Sequence, residues 1–297
     1  MAKAPTIITG RVAAITGAGR GIGRETARAF VREGMKVAVG DLDLAAAKEV
    51  AAELGDRAVA IEVDVTRHES VEAFLDAAEQ QLGPLDVVVN NAGIMQLGWF
   101  NEEDDRTAQR MIDINLHGVI FGTKAALARM EPRNHGHIVN IASQAGVFGT
   151  PGGATYSATK HAVVGLTEAV RGEMRLRGVG VKLSYVLPAV VNTELGSGLQ
   201  RNPGIKQLEP SDVADAIVHG LRHGTVDIWV PKAVKPMSRI SGLLPRRVAE
   251  AFSRAMKADR VLAQVDEGAR RAYELRASRS EPGLEPADTV PELTESA

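Results

Sequence analysis

The stretch "TGAGRGIG" at residues 16–23 places Gly17, Gly21 and Gly23 between an apolar run and a helical pattern. Glycine accepts positive φ angles and lets a ligand approach the backbone closely, and a helix N-terminus favours negative charge. The spacing is G-x-x-x-G-x-G, because Ile22 occupies the last position of the commoner GxGxxG motif. A flexible turn would also tolerate glycines, but the position between a strand and a helix predicts a loop that binds phosphate groups.

Short runs rich in Val and Ile recur before and after this loop, and amphipathic helical patterns lie between most of them. Strands that are buried on both faces read as continuous apolar runs, and helical crossovers between them imply a parallel sheet. The pattern predicts an α/β fold with a Rossmann-type, doubly wound parallel sheet of about seven strands. The predicted strands are 11–16, 35–40, 58–63, 85–89, 137–142, 181–187 and 227–230, and two predicted helices are 44–54 and 69–82.

The second predicted strand is followed by Asp41, a candidate for recognising the ribose of a bound nucleotide. A carboxylate about 20 residues beyond the glycines accepts hydrogen bonds from the ribose hydroxyls of an adenosine and repels a 2′-phosphate. Arg20, inside the glycine loop, could instead serve a 2′-phosphate, and the neighbouring Leu42 adds no positive charge. Asp41 therefore favours NAD over NADP as the cofactor.

Two more strand ends carry candidate cofactor contacts. Asp64 follows the third predicted strand in "EVDVT" and could hold an adenine amino group, with Val65 packing nearby. An aspartate that caps the following helix explains Asp64 equally well. The fourth strand leads into "NNAG" at residues 90–93, and the carboxyl ends of strands are where this fold binds ligands, which makes Asn91 a candidate.

Tyr156 and Lys160 in "ATYSATKHAVVG", residues 154–165, are four residues apart, so their side chains share a helix face. A tyrosine hydroxyl has a pKa of about 10. A positive charge about 5 Å away, at an effective dielectric of about 20, stabilises the phenolate by about 3 kcal/mol and lowers that pKa by about two. The pair predicts a tyrosine that acts as general acid and base, against the alternative of an amphipathic helix with a solvated lysine.

Two further polar residues could belong to the same site. Ser143 follows the fifth predicted strand, where its hydroxyl could hold a substrate carbonyl or alkoxide. Asn115, in "MIDINLHG", stands in a largely apolar helix, where it is either an ordinary buried amide or a group that holds a water.

Taken together, "TGAGRGIG", "NNAG", Asn115, Ser143 and "YSATK" resemble the motifs of the short-chain dehydrogenase/reductase family in order and spacing, over about residues 10–231. The resemblance implies a one-domain enzyme that binds a nicotinamide cofactor and interconverts a secondary alcohol and a ketone. It implies that Tyr156 is the acid/base and that Lys160 lowers its pKa and binds the nicotinamide ribose. Ser143 would orient the substrate oxygen, and Asn115 would hold a water in a proton relay. The resemblance also implies a homodimer or homotetramer that pairs through the helices containing Asn115 and Tyr156.

The sequence departs from the family after the sixth strand, where Pro188-Ala189 replaces the usual Pro-Gly. The backbone at Val191 and Thr193 is still expected to reach the cofactor's carboxamide, while the extra methyl narrows the pocket. The expected pocket walls are mostly apolar, which predicts a hydrophobic alcohol or ketone as the substrate. These walls are Met95, Ser143, Gln144, Val147, Ala189 and Leu195.

Two other functions fit the same motifs. An NADP-linked carbonyl reductase of lipid metabolism is favoured by Arg20. The second is a catalytically idle sensor or scaffold that binds a dinucleotide. Such a protein is expected to have lost Tyr156, Lys160 or Ser143, and all three are present. The sequence therefore favours an active NAD-dependent oxidoreductase.

The composition argues against several other classes. A net charge of -2 gives no sign of nucleic-acid binding, and the absence of cysteine removes disulfides, thiolate metal sites and cysteine nucleophiles. The seven histidines show no HExxH spacing, and His135 and His137 are interpreted as turn residues, so no metal is expected. No apolar run approaches the roughly 18 residues of a membrane span, and the N-terminus lacks a signal peptide's apolar core, which favours a cytoplasmic location.

The alternation of strands and helices stops after the seventh predicted strand, which assigns residues 1–231 to an NAD-binding catalytic domain. Residues 232–277 predict a helical extension with an apolar face. This face is expected to pack on its own or a neighbouring subunit, to cover the substrate pocket as a lid, or to make a peripheral membrane contact. Residues 278–297 are rich in Pro, Ser and Glu and predict a disordered tail. The apolar face of the extension consists of Val248, Phe252, Ala255 and Met256.

Overall fold

The computed structural model describes residues 4–199, 207–245, 247–248, 262–263, 266, 268–270, 273 and 277. Within these residues, seven parallel strands form one sheet in the order β3-β2-β1-β4-β5-β6-β7, which confirms the predicted doubly wound fold. The strands are β1 Val12–Thr16, β2 Lys36–Asp41, β3 Ala58–Glu62, β4 Val87–Asn90, β5 His137–Ile141, β6 Lys182–Pro188 and β7 Asp227–Val230.

Helices connect the strands and cover both faces of the sheet. A π-helical turn at Asp113–His117 joins α4 to α5, and short 3₁₀ turns occur at Gly55–Arg57, Phe100–Glu102 and Gln144–Gly146. The helices in the described residues are α1 Gly21–Arg32, α2 Leu44–Leu54, α3 His68–Leu82, α4 Asp105–Ile112, α5 Gly118–Met130, α6 Ala154–Leu176, α7 Pro210–His223 and α8 Val234–Leu243.

The core lies on both sides of the sheet, because successive side chains of a strand face opposite ways. In β1, Val12 and Ala14 belong to an apolar cluster that includes side chains of α3 and α5. Ala13 and Ile15 belong to the opposite cluster, which includes side chains of α1 and α7. Burial on both faces explains why the strands read as continuous apolar runs.

The winding of the sheet reverses at β1, which pairs with β2 on one side and with β4 on the other. In open α/β sheets, ligands bind in the crevice outside the carboxyl ends of the strands at such a switch point. The glycine loop, the "NNAG" turn, Ser143 and the segment from Pro188 all follow strands that end at this edge. The topology therefore gathers the predicted site residues at one place.

His137 is a buried residue at the start of β5, and the interpretation of it as a turn residue was wrong. Its Nε2 lies 2.7 Å from the Ser184 hydroxyl oxygen. Burial, together with the positive charges of Lys182 and Arg11, lowers the pKa of His137 to about 3. The imidazole is therefore neutral in the folded protein at neutral pH.

We expect this histidine to make the protein sensitive to acid. In the unfolded chain, the imidazole of His137 binds a proton below about pH 6.5. In the folded protein it stays unprotonated down to about pH 3, so the free energy of unfolding should fall as the pH drops through this interval. The expected contribution of His137 is a loss of about 2 kcal/mol by about pH 5. Urea unfolding at neutral pH and about pH 5 measures it. The change with pH should be smaller in His137→Asn, and an equal change would contradict this assignment.

The C-terminal part of the chain only partly matches the predicted extension. Helix α8 begins at Val234, and Val248, placed on the predicted apolar face, is 49% exposed. Phe252, Ala255 and Met256 lie outside the described residues, as does the predicted tail at residues 278–297. Among the described residues, no helix has the length and apolar character needed to cross a membrane.

Candidate active site

The glycine loop is packed so closely that side chains are excluded from it. A Cβ atom at Gly17, where φ is +62°, would lie 2.8 Å from the Ala92 Cα. A Cβ at Gly23 would lie 2.6 Å from the Asn91 Nδ2 and 2.8 Å from the Ala18 Cα. The loop therefore needs glycine at both positions, and its backbone turns directly into the N-terminus of α1.

Asn91, directly after the neighbouring strand β4, holds the glycine loop in place by hydrogen bonds. Its Nδ2 donates hydrogen bonds to the carbonyl oxygens of Thr16 at 2.9 Å and Gly17 at 2.8 Å. In return, the Thr16 hydroxyl accepts from the backbone N–H groups of Asn91 and Ala92. The Asn91 amide thus holds the loop, and its predicted contact with a cofactor stays a prediction.

Asp41 lies against the glycine loop at the end of β2. Its Oδ2 accepts a hydrogen bond from the backbone N–H of Gly19 at 2.8 Å, and its Oδ1 accepts from the N–H of Asp43 at 3.0 Å. A Cβ at Gly19 would lie 2.9 Å from the same Oδ2. The carboxylate is therefore fixed at the place that the sequence predicted for ribose recognition.

Arg20 is engaged by a residue that the sequence reasoning missed, Asp43. The Arg20 Nη2 donates to the Asp43 Oδ2 at 2.6 Å, with both side chains about two-fifths exposed. Asp43 is also the N-cap of α2, because its Oδ1 accepts from the N–H of Ala46 at 3.1 Å. The bond from Ala46 and the pairing with Arg20 lower the pKa of Asp43, so it stays ionised. Its position just before a helical pattern was the available signal.

Asp64 accepts hydrogen bonds through only one of its two carboxylate oxygens. Its Oδ1 accepts from the backbone N–H and the hydroxyl of Thr66, at 3.0 and 2.7 Å. Its Oδ2 is buried and has no hydrogen-bond partner among the described residues. Helix α3 begins at His68 with Arg67 at its N-cap, so Asp64 caps a turn and not the helix. Val65 is buried, and a Cβ at Gly118 would lie 3.0 Å from its Cβ.

Tyr156 and Lys160 lie one turn apart near the start of α6, and both are buried. The Lys160 Nζ is 5.7 Å from the centre of the Tyr156 ring and donates a hydrogen bond to the Ile141 carbonyl at 2.9 Å. Ser143, two residues beyond the end of β5, lies near enough to Tyr156 to lower the pKa of its hydroxyl. The structure therefore brings these three predicted catalytic residues together.

Burial dominates the ionisation of this pair. It raises the pKa of Tyr156 to about 12, while the nearby Ser143 hydroxyl and the charge of Arg270 act in the opposite direction. Burial also lowers the pKa of Lys160 to about 8. The prediction of a lowered tyrosine pKa is thus wrong for the protein alone, because it counted the nearby charge and left out the desolvation of the phenolate.

Asn115 lies in the π-helical turn and is fully buried. Its Oδ1 accepts from the Ile94 N–H at 2.8 Å, and its Nδ2 donates to the Ile94 carbonyl at 2.8 Å and the Thr159 hydroxyl at 3.3 Å. The side chain joins the loop after β4 to α6. Its predicted water-holding role stays a prediction.

The segment after β6 faces the glycine loop across the crevice. The Ala189 N–H donates to the Val230 carbonyl at 2.8 Å, which fixes the Pro188-Ala189 turn against β7. A Cβ at Gly21 would lie 3.3 Å from the Thr193 Cγ2. Val191 is buried beneath this turn. The two segments are therefore close enough to contact one ligand.

The predicted pocket walls are only partly brought together. Met95 lies in the buried cluster that contains Tyr156, and Leu195 packs against that cluster. The Gln144 Nε2 donates to the Val230 carbonyl at 3.2 Å. Val147 is 36% exposed and lies outside the cluster. The same cluster contains three residues that the sequence reasoning missed, Leu262, Tyr273 and Ala277.

Comparison with known proteins places this architecture in one family. The family model described as short chain dehydrogenase matches residues 11–204. An uncharacterized oxidoreductase of Staphylococcus aureus is 36% identical over 218 residues, which cover 73% of this chain and 93% of the relative. The SadH protein of Mycobacterium tuberculosis, named as an oxidoreductase, is 35% identical over 261 residues, which cover 82% and 95%.

Solved structures agree with the sequence comparisons. A short-chain dehydrogenase/reductase from Burkholderia phymatum in complex with NAD is 29% identical, with a TM-score of 0.73, covering 80% of this chain and 94% of that one. A 3-ketoacyl-(acyl-carrier-protein) reductase from Brucella melitensis complexed with NADH is 28% identical, with a TM-score of 0.68, covering 75% and 98%. The chain belongs to the short-chain dehydrogenase family and is an oxidoreductase of the short-chain dehydrogenase/reductase type.

Proposed function

We propose that the protein is an NAD-dependent oxidoreductase that interconverts a secondary alcohol and a ketone on a hydrophobic substrate. The observation that carries the proposal is the buried pair of Tyr156 and Lys160, with the partly buried Ser143 beside Tyr156, at the carboxyl edge of the sheet. The apolar surroundings of Tyr156, which include Met95, support a hydrophobic substrate.

The residues at the switch point fit a dinucleotide. The glycine loop, closely packed at Gly17 and Gly23, leads directly into the N-terminus of α1, where backbone N–H groups favour phosphate. The buried Oδ2 of Asp64 offers an acceptor for an amino group such as that of adenine. The structures from Burkholderia phymatum and Brucella melitensis contain NAD and NADH, which supports a nicotinamide cofactor here.

In the proposed mechanism, the chain's own residues handle the proton. Ser143 donates a hydrogen bond to the substrate oxygen, and the Tyr156 Oη takes the hydroxyl proton during oxidation and returns it during reduction. The charge of Lys160 favours the phenolate form that oxidation needs. Bound NAD supplies the acceptor for the hydride that leaves the carbinol carbon.

The electrostatics around the glycine loop support NAD over NADP. Two carboxylates, Asp41 and Asp43, lie beside the glycine loop, where their charges would repel a 2′-phosphate, and Asp43 already pairs with Arg20. An arginine held by a carboxylate has to give up that pair before it can bind a phosphate. The second candidate, an NADP-linked reductase, rested on Arg20 and is therefore less favoured.

We expect Asp43→Asn to weaken the preference for NAD. Asparagine keeps an oxygen that can cap α2 but carries no charge, so Arg20 becomes free to bind a 2′-phosphate. Because the ion pair is exposed, the expected gain in NADP affinity is modest, about threefold to tenfold, while NAD affinity changes little. Titration of both cofactors measures it. Asp215→Asn, which removes the more exposed partner of Arg32, is the control. Unchanged NADP affinity in Asp43→Asn would contradict the assignment of Arg20 and Asp43.

The enzymatic proposal itself is tested with purified protein, NAD and a panel of secondary alcohols. Formation of NADH at a rate that depends on the alcohol supports it. A protein that binds NAD but oxidises none of the alcohols would be the idle sensor considered above.

We further propose that the protein is a cytoplasmic homodimer or homotetramer. Ala158, Ala162 and Gly165 follow one another along α6, and both Ala158 and Gly165 are exposed. A Cβ at Gly165 would meet no atom within 4 Å. Small residues at this spacing give a face that a second helix can approach closely, which supports pairing through α6.

A further inference from the structure

The described residues near the C-terminus lie against the candidate active site. We call them the C-terminal segment: Leu262, Ala263, Asp266, Gly268, Ala269, Arg270, Tyr273 and Ala277. Leu262, Tyr273 and Ala277 are all less than a tenth exposed, in the same apolar cluster as Met95 and Tyr156. The segment therefore belongs to the surroundings of the catalytic tyrosine.

The first contact of the segment is with the loop that leads into α6. A Cβ at Gly152 would lie 2.5 Å from the Leu262 carbonyl oxygen, and a Cβ at Gly153 would lie 2.9 Å from the Leu262 Cδ1. Glycine at these two positions is what allows the segment to come so close. This loop immediately precedes the turn of α6 that carries Tyr156.

The second contact is with the loop after β6. The Asp266 N–H donates a hydrogen bond to the Gly198 carbonyl at 2.8 Å. A Cβ at Gly198, where φ is +71°, would lie 2.5 Å from the Asp266 carbonyl oxygen. The loop after β6 is therefore held against the segment by its backbone.

Arg270 joins this second loop to a third one, after β4. It is 1% exposed, and its Nη1 donates to the carbonyls of Leu195 at 3.0 Å and Ser197 at 3.1 Å, while its Nη2 donates to the Met95 carbonyl. The guanidinium also lies 4.8 Å from the centre of the Tyr273 ring. The planar fork of arginine can serve acceptors on two loops at once, which a lysine cannot reproduce.

Tyr273 completes the attachment to the loop after β4. Its hydroxyl oxygen accepts a hydrogen bond from the Met95 N–H at 2.8 Å. Arg270 and Tyr273 together hold both backbone polar groups of Met95. The segment thus contacts the loops after β4 and β6 and the loop before α6, on three sides of the site.

We infer that the C-terminal segment is a wall of the active site, positioned by Arg270, and that it limits the substrate to a compact apolar alcohol or ketone that fits wholly beneath it. The inference rests on the proposed function and adds a substrate class to it. An acyl chain presented on a carrier needs an opening at one end, whereas the wall packs in the same apolar cluster as Tyr156, which is 6% exposed. The charge of Arg270 also opposes the effect of burial on the pKa of Tyr156, so the wall contributes to the electrostatics of the site.

Selectivity between two alcohols of different bulk tests the wall. Cyclohexanol and cyclododecanol carry the same carbinol in rings of different size. We expect the unmodified enzyme to prefer cyclohexanol by about tenfold or more in kcat/KM, and Arg270→Met to lose most of that preference through KM for the larger ring. The control is Arg32→Met, which removes an exposed ion pair with Asp215 and should leave the preference unchanged. A preference for cyclododecanol in the unmodified enzyme, or a preference that Arg270→Met leaves intact, would overturn the inference.

Hydrogen exchange tests the wall without relying on turnover. Tyr273→Phe keeps the ring but removes the acceptor for the Met95 N–H, so exchange of that amide in the full-length protein should speed up by about fivefold. Unchanged exchange would overturn the placement of the segment. If the protein binds NAD and oxidises no secondary alcohol in the wider panel, the proposed function fails, and the exchange result still decides whether the wall exists.

Discussion

Replacing Tyr156 with phenylalanine should abolish turnover while the fold and NAD binding remain. The ring would still fill its place in the buried cluster, but the hydroxyl that exchanges the substrate proton would be gone. General acid–base catalysis contributes roughly a hundredfold to ten-thousandfold, so kcat is expected to fall by at least about a hundredfold. Steady-state kinetics of alcohol oxidation, with NAD affinity measured in parallel, gives the result.

Tyr185→Phe is the matched control for this substitution. Tyr185 is also buried, and its hydroxyl donates to Glu168 at 2.8 Å, away from Ser143 and Lys160. Its loss should cost some stability and leave kcat close to that of the unmodified protein. If Tyr156→Phe kept a near-normal kcat, Tyr156 could not be the acid/base, whatever the control showed.

Gly23→Ala should weaken NAD binding strongly, even though it adds a single methyl group. That methyl would lie 2.6 Å from the Asn91 Nδ2 and 2.8 Å from the Ala18 Cα, so the glycine loop and the Asn91 side chain would have to move. Overpacking of this kind costs about 1–3 kcal/mol of stability. The segment that would shift to relieve it is the loop that would bind the cofactor's phosphates. We expect the dissociation constant for NAD to rise by about a hundredfold. Calorimetric titration with NAD measures it.

Gly172→Ala is the control for the effect of a methyl group by itself. Gly172 lies inside α6, and a Cβ there would meet no atom within 4 Å. Alanine is the better helix former by about 0.5–1 kcal/mol, so this variant should be slightly stabilised and bind NAD normally. Equal NAD affinity in the Gly23→Ala and unmodified proteins would contradict the assignment of the loop.

The fold and the placement of the site were predictable because they depend on local signals. Strands buried on both faces leave continuous apolar runs, and all seven predicted strands occur within a residue or two of their expected bounds. The carboxyl ends of parallel strands meet at one edge, so motifs that follow different strands had to converge there. Ser143, Tyr156 and Lys160 meet for this reason, although only the last two are close in sequence.

The C-terminal wall was not predictable in the same way. A helical periodicity shows which residues share a face but gives no information about the surface on which that face packs. The predicted face included Val248, which is 49% exposed, whereas the buried apolar residues among those described are Leu262, Tyr273 and Ala277. Arg270 gave no signal, because an arginine in an arginine-rich segment is ordinarily solvated.

The ionisation of the catalytic pair also needed the structure. The sequence provides the spacing of Tyr156 and Lys160, and hence the effect that the lysine's charge has on the pKa of the tyrosine. It does not show how deeply the two side chains are buried. Desolvation acts on both groups and outweighs that effect, so the pKa of Tyr156 rises to about 12 and that of Lys160 falls to about 8. The pairing of Arg20 with Asp43 is a similar case, since it depends on how a loop and a helix start are placed relative to each other.

Deuterium transfer is the most direct test of the central claim, that the Tyr156 site oxidises a secondary alcohol with NAD. Cyclohexanol deuterated at the carbinol carbon is incubated with NAD and the purified protein, and the nicotinamide product is examined by mass spectrometry, with Tyr156→Phe in parallel. The account predicts one deuterium in the reduced nicotinamide with the unmodified protein and almost none with the variant. Equal deuterium transfer by both proteins, or NAD binding with no transfer from any secondary alcohol in a wide panel, would contradict it.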